Sequence, residues 1–135
     1  MPSLSVHAGG LDLKNPVLLA AGILGTTGAS LCRASRAGAG GVVTKSIGSV
    51  PRAGHPGPCI VHVDCGLINA MGLPNPSYKD FQAEIDAARK GRVPVIASIF
   101  ASSAEEFAQI SRNLDAVALE LNLSCPHAEK YGSEL

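Results

Sequence analysis

The stretch Asp115-Ala116-Val117-Ala118-Leu119-Glu120-Leu121, followed directly by Asn122-Leu123-Ser124-Cys125-Pro126-His127, reads as a buried strand that delivers an amide and a thiol at its C-terminal mouth. In parallel α/β folds chemistry collects on that rim, because a rigid sheet holds loops that remain free to vary. Towards the N-terminus, short runs rich in Val, Ile, Leu and Ala alternate with segments of helical period, the pattern of βαβ units around a parallel sheet. Strands are expected over 17–20, 41–44, 94–99 and 116–121. Their continuous apolar character, in place of strict alternation, implies cover on both faces.

The intervening helices carry their own punctuation. The first is expected from about Ala29 to Ala37 and is ended by Gly38-Ala39-Gly40-Gly41. The second, Tyr78 to Lys90, turns Phe81, Ile85 and Ala88 inward and stops at Gly91. The third opens on a capping box of Ser103 with Glu106 and buries Phe107, Ile110 and Leu114. Ahead of them all, Leu4-Ser5-Val6 and Leu11-Asp12-Leu13 flank Gly9-Gly10, a hairpin signal that would close the bottom of a barrel. Between Ser46 and Ser77 lies an excursion rich in proline and glycine, too long for a routine connection, with a short strand at Ile60-Val61-His62-Val63. Four β/α units plus the hairpin make about half of a (β/α)8 TIM barrel, whose typical length is ~250 residues. Residues 1–135 therefore read as one structural unit, the N-terminal half of such a barrel, with open edges on its first and fourth strands and an apolar inner face exposed.

Composition narrows the partners. Of 135 residues, 46% are apolar and 16% charged, ample for a core. Eleven basic and eleven acidic residues cancel, so no long-range field would gather nucleic acid or an anionic membrane. No apolar run approaches the ~20 residues of a membrane span, and Met1 to Leu13 lacks the marks of a signal peptide, so the expected location is cytoplasmic. Cys32, Cys59, Cys65 and Cys125 have no zinc-type spacing and are expected to be free thiols, Cys32 as a small buried hydrophobe on the first helix.

At the ends of successive strands come Ala21-Gly22, Lys45-Ser46, Ser98, and Asn122 with Cys125, all expected on one rim. Small residues let a flat ring or a phosphate approach the backbone, and a lysine directly after a buried strand offers a fixed positive charge. Each also has a plain reading, an ordinary turn or a rim lysine whose stem packs while its head reaches water. Cys125 is either a buried structural thiol or a base or nucleophile activated by its setting. Pairing with His127 is disfavoured, because Cys and His dyads assemble from separate segments and Pro126 fixes the chain between these two. The segment Leu67-Ile68-Asn69-Ala70-Met71-Gly72-Leu73-Pro74-Asn75 places an amide, a thioether and glycine-exposed backbone together in a loop, and amide side chains and free backbone groups suit a ring carrying alternating carbonyl and N–H groups.

Taken together, Asn69-Ala70-Met71-Gly72-Leu73-Pro74-Asn75, Asn122-Leu123-Ser124-Cys125-Pro126, Lys45-Ser46 and Ala21-Gly22 closely resemble the dihydroorotate dehydrogenase family, in the N-terminal half of its flavin-binding barrel. Cysteine rather than serine at 125 looks like the soluble class 1 enzymes. The resemblance implies oxidation of dihydroorotate to orotate in pyrimidine (UMP) synthesis, with FMN taking the hydride and Cys125 removing the carbon-5 proton. It assigns Ala21, Gly22, Lys45, Ser46, Ser98 and Asn122 to the cofactor, and Lys45, Asn69, Ala70, Met71, Gly72, Leu73, Asn122 and His127 to the substrate. Closure of a loop over Cys125 would exclude water.

Two positions depart from the commoner family pattern. His127 stands where many members have a second asparagine, and Ser98 where related soluble enzymes often have asparagine near the flavin. Histidine after Cys-Pro is also similar to dihydropyrimidine dehydrogenase, which makes a dihydropyrimidine such as dihydrouracil the alternative substrate. Within class 1, the look of residues 51–58 leans towards the branch that pairs with an iron-sulfur and FAD subunit to reduce NAD, and away from the fumarate-reducing homodimer; either way a homo- or hetero-oligomer is expected. Taken alone, the 135 residues read as a non-catalytic half barrel, since a barrel's phosphate site usually lies after strands seven and eight.

Overall fold

A computed structural model describes residues 3–123. The expected Cys125 and His127 roles therefore lie outside the described residues. The chain opens with β1 (Val6–Ala8) and β2 (Leu11–Leu13), an antiparallel hairpin whose Gly9 and Gly10 both take positive φ, as a two-residue turn of this twist requires. Leu13 is buried and packs beside Gly41, which places the hairpin at the N-terminal end of the main sheet.

That sheet contains β3 (Leu18–Leu19), β4 (Gly41–Val43), β7 (Val95–Ile99) and β8 (Ala118–Leu121), all parallel and adjacent in chain order. Three helices, α1 (Gly28–Arg36), α2 (Tyr78–Ala88) and α3 (Ala104–Asn113), make the connections. The expected inward stripes hold: Phe81, Ile85 and Ala88 from α2, and Phe107, Ile110 and Leu114 from α3 and its end, are buried with Leu31, Val42, Val95 and Ile99 in one core. Each large side chain fully buried there stabilises the fold by about 1.5–3 kcal/mol in transfer free energy. The outer strands β3 and β8 expose Leu18, Leu119 and Leu121.

Three local details differ from the sequence expectation. Ser103 caps α3 by accepting from Glu106 N at 3.2 Å, but the Glu106 carboxylate does not close the box. It accepts from the backbone N–H and hydroxyl of Ser102 and from the Ser49 hydroxyl, so a contact across the fold outcompetes the local one. A reciprocal box forms instead on α1, between Thr27 and Ser30. Gly91 is not the stop of α2: the helix passes into a short 3-10 turn, Arg89–Gly91, and Arg92 takes the left-handed conformation. Gly91 is needed for packing, since a Cβ there would stand 2.6 Å from Ser35 Oγ.

The excursion is more ordered than expected. Beside β5 (Ile60–Val63), residues read as part of a loop form β6 (Gly66–Asn69), pairing antiparallel with β5. Arg52 and Asn75 bond backbone to backbone and close the neck of this lobe. Cys32 is buried on α1 and donates to Ala87 O, and Cys32, Cys59 and Cys65 are free thiols, as expected. No helix among the described residues is long and apolar enough to cross a membrane, and no cluster of His, Cys, Asp or Glu among them suits a metal.

Candidate functional site

The rim at the C-terminal ends of β3 and β4 opens into a cavity of about 300 Å³. Ala20, Ala21 and Gly22 enter it from the turn after β3, Lys45 from the end of β4, and Asn69 and Met71 from the end of β6. Five residues expected to contribute to one site are thus brought together from three separate segments. Gly22 has φ 137, and nothing lies within 4 Å of where its Cβ would be, so the backbone is open to a flat ligand. Lys45 is buried, its relative exposure 7%.

Next to the cavity, Ser46, Ser98 and Asn122 form a hydrogen-bonded row across β4, β7 and β8. Asn122 Nδ2 donates to Ser46 Oγ at 3.1 Å, and Ser46 Oγ lies 3.0 Å from Ser98 Oγ. The three were expected on the same rim, and the parallel register accounts for it: Asn122 N donates to Ile99 O just past β8, and Ile47 N donates to Ser98 O.

The rest of the 69–75 segment is arranged differently. Ala70 faces a separate groove of about 330 Å³ shared with His55, Pro56 and Pro58. Gly72, at φ 74, packs under His55, where a Cβ would come within 2.7 Å of the ring. Leu73 is buried and itself holds a positive φ of 54. Neither Gly72 nor Leu73 lines the 300 Å³ cavity.

Three residues that matter to this geometry were assigned no role from the sequence, although Asn75 stands in the 69–75 segment. Buried Asn75 accepts at Oδ1 from Gly48 N (3.1 Å) and Ser77 N (2.9 Å), and donates from Nδ2 to Leu73 O (3.0 Å), tying the lobe to the loop after Lys45. Within that segment, only its place between two prolines set it apart. Gly25 ends a 3-10 turn, Ile23–Gly25, pressed against Lys45, whose backbone N–H donates to Gly25 O at 2.8 Å. Thr44, a polar residue closing an apolar run, is fully buried; its hydroxyl accepts from Ser98 N on β7 and donates to the carbonyl of the next residue, Lys45.

These features define a class first: a parallel α/β protein whose ligand site is built from turns at the C-terminal ends of its strands. Residues 3–135 match the family model described as dihydroorotate dehydrogenase, and the chain belongs to that family. It is 59% identical over 129 residues to the protein named dihydroorotate dehydrogenase B (NAD(+)), catalytic subunit, of Methanosarcina acetivorans, a match covering 92% of this chain and 42% of that protein. Proteins of the same name from Methanocella arvoryzae and Pyrococcus furiosus are 56% and 50% identical, covering 97% and 98% of this chain and 44% and 45% of theirs. The chain spans less than half the length of these relatives.

Proposed function

We propose that this chain supplies the first four β/α units of an eight-unit barrel that, in the complete protein, oxidises dihydroorotate to orotate in pyrimidine synthesis. The observation that carries the reading is the meeting of Ala21, Gly22, Lys45, Asn69 and Met71 around one cavity at the strand ends. Exposed apolar side chains on both outer strands suit a sheet that continues on either side.

The residues present fit a flavin, FMN in this reading. The open backbone at Gly22 and the methyl-sized Ala20 and Ala21 leave a shelf for a flat ring, and Lys45 offers a cation beside it. Ala21, Gly22, Lys45, Ser46, Ser98 and Asn122 would hold the cofactor, which when bound accepts a hydride from the substrate. Asn69, Ala70, Met71, Gly72, Leu73 and His127, with Lys45 and Asn122, would orient the pyrimidine ring and its carboxylate. Cys125 would take the carbon-5 proton as its thiolate. An ordinary thiol with pKa ~8.5 is only a few per cent ionised at neutral pH, so its surroundings must favour the anion.

The relatives' name, catalytic subunit of an NAD(+) enzyme, supports a hetero-oligomer; in this reading the partner is an iron-sulfur and FAD subunit that passes electrons to NAD, and the location is the cytoplasm. The same names favour dihydroorotate over dihydrouracil. In the complete enzyme, Cys125→Ser should slow reduction of bound flavin by dihydroorotate by about 10²-fold or more while flavin stays bound, as expected for loss of a general base. Unchanged reduction would remove Cys125 from that role, and a wild-type flavin that dihydroorotate fails to reduce would overturn the reading itself.

A further inference from the structure

The hydrogen-bond ladder between β4 and β7 breaks register at the lysine. It runs regularly through Val42 N to Pro94 O and Thr44 N to Ile96 O, each 3.0 Å. The next residue of β4 in a regular parallel ladder would be Ser46, opposite Ile99. The residue found there is Ile47, whose N–H donates to Ser98 O (2.9 Å) and whose carbonyl accepts from Phe100 N (3.0 Å). One extra residue has therefore been inserted, a bulge spanning Lys45 and Ser46. Bulges re-aim side chains and recur beside active sites.

The bulge displaces a backbone acceptor, and a side chain replaces it. In a regular ladder Ser98 N would donate to the Thr44 carbonyl. Here it donates to the Thr44 hydroxyl at 3.0 Å, and that hydroxyl donates to Lys45 O at 2.9 Å. Thr44 is wholly buried, so no water stands ready to take over. On the opposite side, Gly25 O accepts from Lys45 N. Lys45 is thus fixed at its N–H by the turn after β3 and at its carbonyl by Thr44. The next residue, Ser46, reaches Asn122 and Ser98 as a result of the same offset.

We propose that Thr44 is the positioning residue of this site, its hydroxyl holding the bulge that aims Lys45 at the cavity and Ser46 at Asn122. The proposal deepens the dihydroorotate reading and, for its ligand readout, rests on it. Three variants of the complete holoenzyme test it: Thr44→Val, nearly isosteric but without the hydroxyl; Thr44→Ser, which keeps it; and Thr44→Val combined with Lys45→Ala.

Thr44→Val should weaken orotate binding, followed by titrating the visible flavin spectrum, by about tenfold, the scale of one buried hydrogen bond. It should slow flavin reduction by about 10- to 100-fold, as a misplaced contact group does. Thr44→Ser should restore both to within about threefold, since only the shared hydroxyl is required. In the Lys45→Ala background, Thr44→Val should cost less than it does alone, because only the Ser46 part of the arrangement is left to displace. Hydrogen exchange gives a readout independent of ligand and turnover: the amides of Ser98 and Ile47 should exchange faster in Thr44→Val and not in Thr44→Ser.

Wild-type exchange and wild-type orotate affinity in Thr44→Val would overturn the proposal. So would an undiminished cost of Thr44→Val in the Lys45→Ala background. If Thr44→Val does not accumulate as folded protein, Thr44→Cys, with a weaker and longer-reaching thiol, should give the same pattern in smaller degree, and a wild-type pattern there overturns the proposal equally. Should the wild-type enzyme bind no orotate, the proposed substrate falls, while the exchange comparison still decides the role of Thr44.

Discussion

Replacing Gly25 by alanine should damage the site far more than it damages the fold. A Cβ built on Gly25 would stand 2.5 Å from Lys45 N, 2.7 Å from Thr44 C and 2.9 Å from Val43 O. All three are backbone atoms, so no side chain can swing aside. Ordinary contact begins at 3.4 Å, so the turn and the end of β4 must part by roughly one ångström. That movement stretches the Lys45 N to Gly25 O bond and carries the lysine away from Ala21 and Gly22. A displacement of about 1 Å at a contact group costs on the order of 10²-fold in rate. The assay is stopped-flow reduction of flavin by dihydroorotate in the complete enzyme, with flavin content matched to wild type. Gly28→Ala is the comparison: its Cβ would meet Ala87 Cβ and Glu84 O at 2.6 Å, a clash between helices, so it should lower the melting temperature and leave reduction near wild type. Wild-type reduction in Gly25→Ala, or equal kinetic losses in the two variants, would refute the reasoning.

Two further expectations concern helix ends. Glu84 on α2 accepts from Gly28 N at 2.5 Å and so caps α1 from outside the helix; Glu84→Ala should destabilise the complete protein by about 1–2 kcal/mol in urea unfolding, the cost of losing a cap and a charge at a helix N-terminus, with Glu84→Gln losing less. Glu105, in the first turn of α3, has its carboxyl held below the usual carboxylate range by hydrogen bonds from its own backbone and from the Ser103 side chain. A lowered folded-state pKa stabilises the fold at neutral pH, and that stabilisation is lost as pH falls through the folded value. Thermal melts of Glu105→Gln should therefore fall below wild type at neutral pH and converge with it in acid; a gap independent of pH would exclude the charge as its cause.

The parts of the molecule legible in the sequence are those fixed by periodicity and punctuation. The stripes Phe81, Ile85, Ala88 and Phe107, Ile110, Leu114 point inward because a helical period admits one buried face, and the fold honours it. The shared rim of Ala21, Lys45 and Asn122 was legible for a topological reason: successive parallel strands joined by helices place all their C-terminal ends on one side. The partition within 69–75 was not legible. Whether Met71 lines the cavity and Gly72 packs under His55 depends on the β5–β6 pairing and on Asn75, both long-range relative to the motif.

The bulge at Lys45 marks the boundary between the two kinds of information. In Gly41-Val42-Val43-Thr44-Lys45-Ser46-Ile47 nothing local distinguishes a straight strand from one with an inserted residue, because threonine is a good strand former in either. The insertion becomes determinate only when Ser98 N, on a strand more than fifty positions away, needs an acceptor and finds the Thr44 hydroxyl. A straight strand would turn Ile47 and the residues after it to the other face of the sheet, since a one-residue slip reverses every side chain beyond the insertion, and it would remove the offset between Lys45 and Ser46. The bulge therefore decides how Lys45 and Ser46 divide between the cavity and Asn122. Thr44, with no contact to any ligand in this reading, would thereby act on the site through Lys45 and Ser46.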